Sequence, residues 1–415
     1  MSVEIIAAGS EFIIQDSRNS GIAPIATQLL EAGVEIDYVS AVSAQESRLE
    51  EILRQAIERS TLIFVLGSVV SGEYDISKKL LTRVLKKRLV LNYKLLDAIK
   101  QDFQDRGEVM PRSVEKQALV PTDADILEND REGLPGFIFH DGQTRVVLMP
   151  AHPTAVETML AKHILPHLNP KRFRSGAVSG VMFKSCGLPL EKVRESLKGL
   201  DRDPLSQLLR YVSDGEETSI IVTVKGDIQS DVDSRLQEIR THIQRALGQY
   251  IYGTGSQTLA EVVGELLLTQ QHTLALAESC TGGLIANRLT NIAGSSHYFE
   301  RGVVSYSNEA KISLLDISPN LIEQHGAVSP ETAVAMAEGI RWIAQTHYGL
   351  AVTGIAGPGG GTREKPVGLV YIALAAEGAD TQWKKCHFSG DRLSVKNRTA
   401  QTALNMLRHH LLKAH

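Results

Sequence analysis

The stretch Thr273–Thr290, TLALAESCTGGLIANRLT, decides the fold. Thr273–Glu278 has the length and apolar content of a buried strand. Ser279-Cys280-Thr281-Gly282-Gly283 follows as a turn, because paired glycines interrupt any regular element. Leu284–Thr290 then reads as a helix. Strands alternating with helices build a parallel sheet covered on both faces.

The same alternation extends outward. Downstream lie a strand at Gly302–Ser307, a helix at Pro330–Gln345 and a strand at Tyr348–Thr353. A glycine-rich loop at Gly354–Gly361, a strand at Val367–Ala375 and a closing helix at Val395–Leu412 follow. Upstream, apolar positions at helical spacing predict a helix over Thr258–Gln270, and Gly253-Thr254-Gly255 reads as a linker. Before it lies a small α+β unit with strands at Ala177–Phe183 and Thr218–Gly226 and helices at Pro189–Leu197 and Val232–Leu247. The first segment alternates again: strand Val3–Ala8, helix Gly21–Glu31, strand Glu35–Val42, helix Ser47–Ser60, strand Leu62–Leu66. That pattern continues through Val109–Leu119 to Val146–Met149, with a last helix from Thr154. A chain of 415 residues exceeds what one core supports. Three domains are predicted, over residues 1–168, 169–253 and 254–415.

Composition narrows the function classes. Apolar residues are 43% and charged residues 22% of the chain, as in folded globular proteins. Aromatics are 5% and the net charge is −4, so neither a base-stacking platform nor a general attraction to nucleic acid is expected. Lys78, Lys79, Arg83, Lys86, Lys87 and Arg88 form a basic run that reads as a solvated helix face. Three distant cysteines, Cys186, Cys280 and Cys386, give neither a disulfide framework nor zinc spacing. No apolar run is long enough to span a bilayer, and a cytoplasmic compartment without membrane contact is expected.

The chemistry gathers in the last segment. Ser279 lies at a helix start, where free backbone N–H groups favour a phosphate or an oxyanion, and Gly282 and Gly283 admit close approach. A serine there equally serves as a plain helix cap. Tyr306-Ser307-Asn308 ends a strand, and Lys311 follows. A serine needs a base, no histidine sits in a suitable motif, and a lysine serves if burial lowers its pKa. Tyr306 is then a proton relay or an orienting group for the amine. The competing reading of Lys311 is an exposed lysine near a helix start. Thr353-Gly354 and the glycines to Gly361 form a third cluster, which near Ser279 makes one wall of a pocket. Cys280 is a rival nucleophile, but no His/Asn partner is apparent and it reads better as packing.

Five stretches together resemble the CinA (competence/damage-inducible) family. They are Glu278-Ser279-Cys280-Thr281-Gly282-Gly283, Gly302-Val303-Val304-Ser305-Tyr306-Ser307-Asn308, His325-Gly326-Ala327-Val328-Ser329, Thr353-Gly354-Ile355-Ala356-Gly357-Pro358 and Lys365-Pro366-Val367-Gly368. The resemblance implies an α/β chain with three parts. These are an N-terminal three-layer α/β/α MoaB/MogA-like domain, a small α+β KH-like middle domain and a C-terminal α/β CinA amidohydrolase domain. It implies deamidation of nicotinamide mononucleotide to nicotinate mononucleotide plus ammonia, in pyridine-nucleotide salvage. Ser279, Tyr306 and Lys311 then take the catalytic places. Thr281, Gly282, Gly283, Asn308, Thr353, Gly354, Gly357, Gly360 and Arg392 take the substrate-binding ones. No cofactor is implied for this step, and a homodimer is.

The N-terminal match is degraded. Gly9-Ser10-Glu11 stays close to the family's Gly-Thr-Glu, but Ile13-Ile14-Gln15-Asp16 lacks the glycine of the next stretch. The family's glycine- and aspartate-rich loop appears as Gly67-Ser68-Val69-Val70-Ser71-Gly72-Glu73-Tyr74-Asp75, with two glycines replaced and Tyr74 in place of an aspartate. Pro150-Ala151-His152-Pro153-Thr154-Ala155 has lost an acidic residue. Some family members hydrolyse ADP-ribose here with a divalent metal. Asp75 is left largely alone as a ligand, so weak or no such activity is expected. No G-x-x-G loop lies in Ala177–Leu247, so the middle segment is not expected to bind RNA. Two alternatives stand beside the amidase: a bifunctional enzyme that also cleaves ADP-ribose, and a nucleotide-binding adaptor without turnover.

Overall fold

The computed structural model describes residues 2–14, 21–43, 45–68, 73–129, 134–168, 177–200, 207–213, 215 and 217–413. Contacts gather into two compact units, one running from Met1 to Met182 and one containing Thr241–His415, with the strands between shared out.

The N-terminal unit is built on strands β1 (Val3–Ala8), β2 (Tyr38–Val42) and β3 (Leu62–Gly67), the short pair β4 (Leu89–Leu91) and β5 (Leu119–Pro121), and β6 (Ala124–Leu127), β7 (Gly136–Asp141) and β8 (Thr144–Pro150). Its helices are α1 (Glu11–Ile14), α2 (Ile22–Glu31), α3 (Glu46–Arg59), α4 (Glu73–Val84), α5 (Tyr93–Asp105) and α6 (Pro153–Met159). The main sheet has the order β2-β1-β3-β8-β7-β6. The first four strands are parallel, and β7 and β6 add an antiparallel edge. Successive side chains of a strand face opposite ways. Accordingly, Ile63 and Val65 pack with Leu49 and Leu53 of α3 on one face, while Leu62, Phe64 and Leu66 pack with Ile25 and Leu29 of α2 on the other. The layering is α/β/α. Glu4 lies fully buried inside β1, where Arg59 grips both carboxylate oxygens at 2.6 and 3.0 Å and Ser60 Oγ donates at 3.0 Å. A buried carboxylate is tolerated only when paired in this way.

Two sequence expectations need correction in this unit. Val109–Leu119 does not continue the βα alternation. Arg112–Ala118 is a 3-10 turn, and β5 pairs only with β4, outside the main sheet. The basic run is not wholly solvated, since Lys78 is buried and its Nζ lies 3.2 Å from Asp75 Oδ1. The loop that the resemblance singled out lies outside the described residues from Val69 to Gly72, as do Gln15 and Asp16.

The middle segment comprises β9 (Ala177–Cys186), α7 (Leu190–Ser196), β10 (Gln207–Ser213), β11 (Glu217–Gly226), α8 (Gln229–Leu247) and β12 (Ile251–Thr254). Its sheet order is β10-β11-β9-β12. Gly253 and Thr254 are therefore strand, not linker, pairing with Lys184 and Phe183. The register shifts between Ile251 and Gly253, and a bulge of this kind hides a strand from alternation.

The C-terminal elements are α9 (Leu259–Gln270), β13 (Leu274–Glu278), α10 (Leu284–Thr290), β14 (Phe299–Val304), α11 (Asn308–Leu315), α12 (Pro319–His325), α13 (Pro330–Ala344), β15 (Tyr348–Gly354), β16 (Leu369–Ala376), β17 (Gln382–His387) and α14 (Arg392–Lys413). The sheet order is β14-β13-β15-β16-β17, with β13 parallel to both neighbours and the last two strands antiparallel. Helices α9, α10 and α14 cover one face and α12 and α13 the other. The chain leaves β13 for β14 on one side and returns to β15 on the other. The carboxyl end of β13 is therefore a switch point, where open α/β sheets place their ligand crevice.

Candidate active site

Hydrogen bonds draw the ends of three strands together at that switch point. Ser279 N–H donates to Val352 O at 3.1 Å, and Ser305 N–H donates to Glu278 O at 2.9 Å. Glu278 then folds the turn. Its carboxylate, 1% exposed, accepts from the N–H groups of Gly283, Ile285 and Ala286 at 3.0, 3.2 and 2.8 Å. Gly282 N–H closes on Ser279 O at 3.1 Å. Gly282 and Gly283 have φ values of 63° and 91°, a region that penalises any Cβ. These bonds narrow one expectation. The amides of Gly283, Ile285 and Ala286 are not free for a phosphate or an oxyanion, because Glu278 already holds them.

The corner presents Ser279 Oγ to Lys311 Nζ at 3.1 Å. Ser279 is 7% exposed and Lys311 1%. Lys311 is brought there by α11, whose start is fixed by Ser307 Oγ accepting from Ala310 N–H at 3.0 Å. Its Nζ also donates to Ser305 O at 2.8 Å and Tyr306 O at 3.3 Å. No carboxylate pairs with it among the described residues. Burial disfavours the ammonium form and lowers the Lys311 pKa. A neutral amine has two N–H bonds and one lone pair. Two backbone carbonyls can take the N–H bonds, which leaves the lone pair for the Ser279 hydroxyl. The exposed-lysine reading of Lys311 is excluded by its burial.

Tyr306 does not touch that amine with its phenol. The side chain is 60% exposed, and its hydroxyl accepts from Arg392 Nη2 at 3.0 Å. Arg392 Nη1 donates to Gly357 O at 2.8 Å, so Tyr306, Arg392 and the glycine loop form one connected wall. Gly357, with φ 86°, sits so close to Val367 that a Cβ would lie 2.7 Å from its Cγ1. Thr353 is buried and its hydroxyl donates to Ala327 O at 2.7 Å, which ties the strand end to the loop before α13. Gly354 has no room for a side chain beside Leu369 O, whereas Gly360 has space around it. Asn308 is the exposed first residue of α11. Cys280 is buried, and burial pushes its thiol up to about 12, which removes the thiolate nucleophile.

Two hydroxyls in this region are buried without a hydrogen-bond partner: Thr281 Oγ1 and Ser305 Oγ. Buried polar atoms are normally satisfied, and an orphan at a strand end invites a ligand. Sequence reasoning included Thr281 but not Ser305 or Glu278. Ser305 lay within a quoted motif, and its tie to Lys311 needed the tertiary fold to appear.

At the N-terminal sheet, Tyr74 packs its ring against Gly67 and donates its hydroxyl to Pro135 O at 2.6 Å. Asp75 pairs with Lys78. Among the described residues no group of three His, Cys, Asp or Glu could hold a metal, and no helix is long and apolar enough to cross a membrane.

Residues 256–411 match the family described as the CinA C-terminal domain, and residues 4–170 match the probable molybdopterin binding domain. A CinA-like protein of Dictyoglomus thermophilum is 34% identical over 412 residues, covering 99% of this chain and 100% of its own length. A CinA-like protein of Kosmotoga olearia is 35% identical over 416 residues, covering 99% of each. The crystal structure of the competence/damage inducible protein CihA from Agrobacterium tumefaciens has 40% identity, a TM-score of 0.36, and covers 38% of this chain and 97% of its own. Matched along its whole length, with a MoaB-like domain first and a CinA domain last, this chain belongs to the CinA family.

Proposed function

We propose that the C-terminal domain is an amidohydrolase that deamidates nicotinamide mononucleotide. The observation that carries this reading is the buried pair Ser279 Oγ–Lys311 Nζ at 3.1 Å, with no carboxylate among the described residues to keep the lysine charged. Lys311 takes the Ser279 proton as the oxygen attacks the carboxamide carbon. The tetrahedral intermediate collapses, Lys311 returns the proton to the leaving nitrogen, and ammonia departs. Water then attacks the acyl-enzyme ester, again losing its proton to Lys311, and releases the carboxylate with Ser279 restored. Thr281 Oγ1–H, two residues beyond the nucleophile and unpartnered, is the donor available to the oxyanion. Tyr306 and Arg392 act as one binding wall, not as proton carriers. No metal enters this sequence of steps.

The N-terminal domain serves as a structural partner in this reading, since Asp75 is engaged by Lys78. The test is ammonia release from nicotinamide mononucleotide, with and without a chelator, beside an assay for AMP from ADP-ribose. Chelator-insensitive ammonia release is expected. Turnover of neither compound would sink the amidase and favour a binding adaptor. Metal-dependent AMP formation would make the enzyme bifunctional.

A further inference from the structure

Helix α14 begins with an arrangement that local helix physics disfavours. Arg392 and Lys396 stand four residues apart on one face of its first two turns, and no acidic residue lies in the first turn. Like charges at this spacing repel, and cations near a helix N-terminus oppose the macrodipole. Asp391 does not relieve them, because its Oδ1 accepts from Ser394 N–H at 2.8 Å as a cap. No carboxylate pairs with Lys396 among the described residues, and its side chain is half-buried. Local rules broken without internal compensation are characteristic of binding sites.

The two cations face the turn that carries the nucleophile. A Cβ on Gly282 would lie 3.7 Å from Lys396 Nζ, and Gly282 is joined to Ser279 by the turn's hydrogen bond. Arg392 spends one N–H on Gly357 O and one on Tyr306, and a guanidinium has five, so three remain. Glu278 takes the amides of Gly283, Ile285 and Ala286, so an anion bound here leans on side chains.

We infer that Lys396, with Arg392, is the clamp for the 5′-phosphate monoester of the substrate, and that this pair selects a mononucleotide over its riboside. The inference rests on the amidase reading and identifies what that reading leaves open. An anion placed between Arg392 and Lys396 relieves their mutual repulsion and sits near the reacting serine, at the other end of the substrate from the carboxamide.

The experiment compares ammonia release from nicotinamide mononucleotide and from nicotinamide riboside in wild type, Lys396→Ala and Lys396→Arg. Loss of one charge-assisted contact raises KM for the mononucleotide about ten- to a hundredfold in Lys396→Ala. Its kcat stays near wild type, the riboside is unaffected, and Lys396→Arg restores most of the affinity. Equal losses on both substrates, or none on the mononucleotide, overturn the clamp while the amidase stands. Should wild type release ammonia from neither, the amidase falls. The clamp is then judged by calorimetric binding of the mononucleotide to Ser279→Ala with and without Lys396→Ala. Binding that is tight and lost with Lys396 supports the clamp, and binding that is absent or indifferent to Lys396 overturns it.

Discussion

Among the described residues two lysines are buried, one at each central sheet, and the fold gives them different partners. Lys78 has Asp75 at 3.2 Å, donates to Lys116 O at 3.1 Å and lies 5.8 Å from the ring centre of Phe137. Burial lowers its pKa, and the aspartate offsets that only in part. Lys311 has a serine and two backbone carbonyls, and burial lowers its pKa with no carboxylate opposing. Burial alone does not separate the two amines, since it lowers the pKa of both. The partner left beside it decides: a carboxylate keeps the ammonium ion, and neutral acceptors release the lone pair.

The sharpest way to break this comparison is at the nucleophile. On the proposed mechanism Ser279→Ala removes the atom that forms the covalent bond, and ammonia release should fall by about a thousandfold or more. Thermal unfolding should stay close to wild type. Lys311→Met comes next, with a loss of similar order in kcat. Here pH sharpens the contrast. The base works only when neutral, so wild-type kcat/KM rises with pH along a limb below the ordinary lysine value of 10.5. An activity limb at 10.5 or above would refute the desolvated amine. Stability gives the complementary sign. The folded pKa lies below the unfolded one, so the unfolded chain binds this proton more tightly between the two values. Lys311 therefore costs stability most fully below its folded pKa, and the cost fades as pH rises to the unfolded value. At neutral pH Lys311→Met should leave Tm unchanged or raised while activity vanishes.

Lys78→Met should do the reverse. Asp75 Oδ1 is shielded from water and has no hydrogen bond beyond the ion pair. Deleting the ammonium strands that oxygen and Lys116 O, at a cost of about 1–2 kcal/mol. Denaturant titration should register the loss, and ammonia release should be untouched. A silent Lys78→Met would mean that the pair is worth no more than an exposed ion pair.

These opposite fates were only half legible in the sequence. The strand-turn-helix at Thr273–Thr290 declared itself because its apolar run and paired glycines are contiguous. The order Ser279, Lys311, Thr353 and Arg392 was readable because each sits in or beside a local motif. Burial was not, since it is set by what packs from elsewhere. Lys78 hid in a basic run that looked solvated, and Lys311 looked like any lysine near a helix start. Glu278 escaped notice for the same reason: three amides bind it only once the turn is formed. Strand β17, with its exposed Trp383 and Lys384, has no alternation to read, and β12 is masked by its bulge at Gly253.

The smallest effect is expected beside the nucleophile itself. Cys280 follows Ser279 directly, and a chemist choosing a nucleophile from the sequence would consider its sulfur first. Its surroundings argue otherwise. Cys280 belongs to the apolar cluster that also holds Ile285, Val352 and Val395, and burial pushes its thiol up to about 12. The same burial that frees the Lys311 lone pair therefore silences the thiol, because the charged form is the reactive form of one and the unreactive form of the other. Cys280→Ala deletes one sulfur from a packed site, for which about 1 kcal/mol of stability is expected to be lost. Ammonia release should remain within about twofold of wild type, and thiol-alkylating reagents should leave the native enzyme active. An inactive Cys280→Ala with an unaltered melting curve would transfer the nucleophile's role from oxygen to sulfur and leave Lys311 as a structural donor.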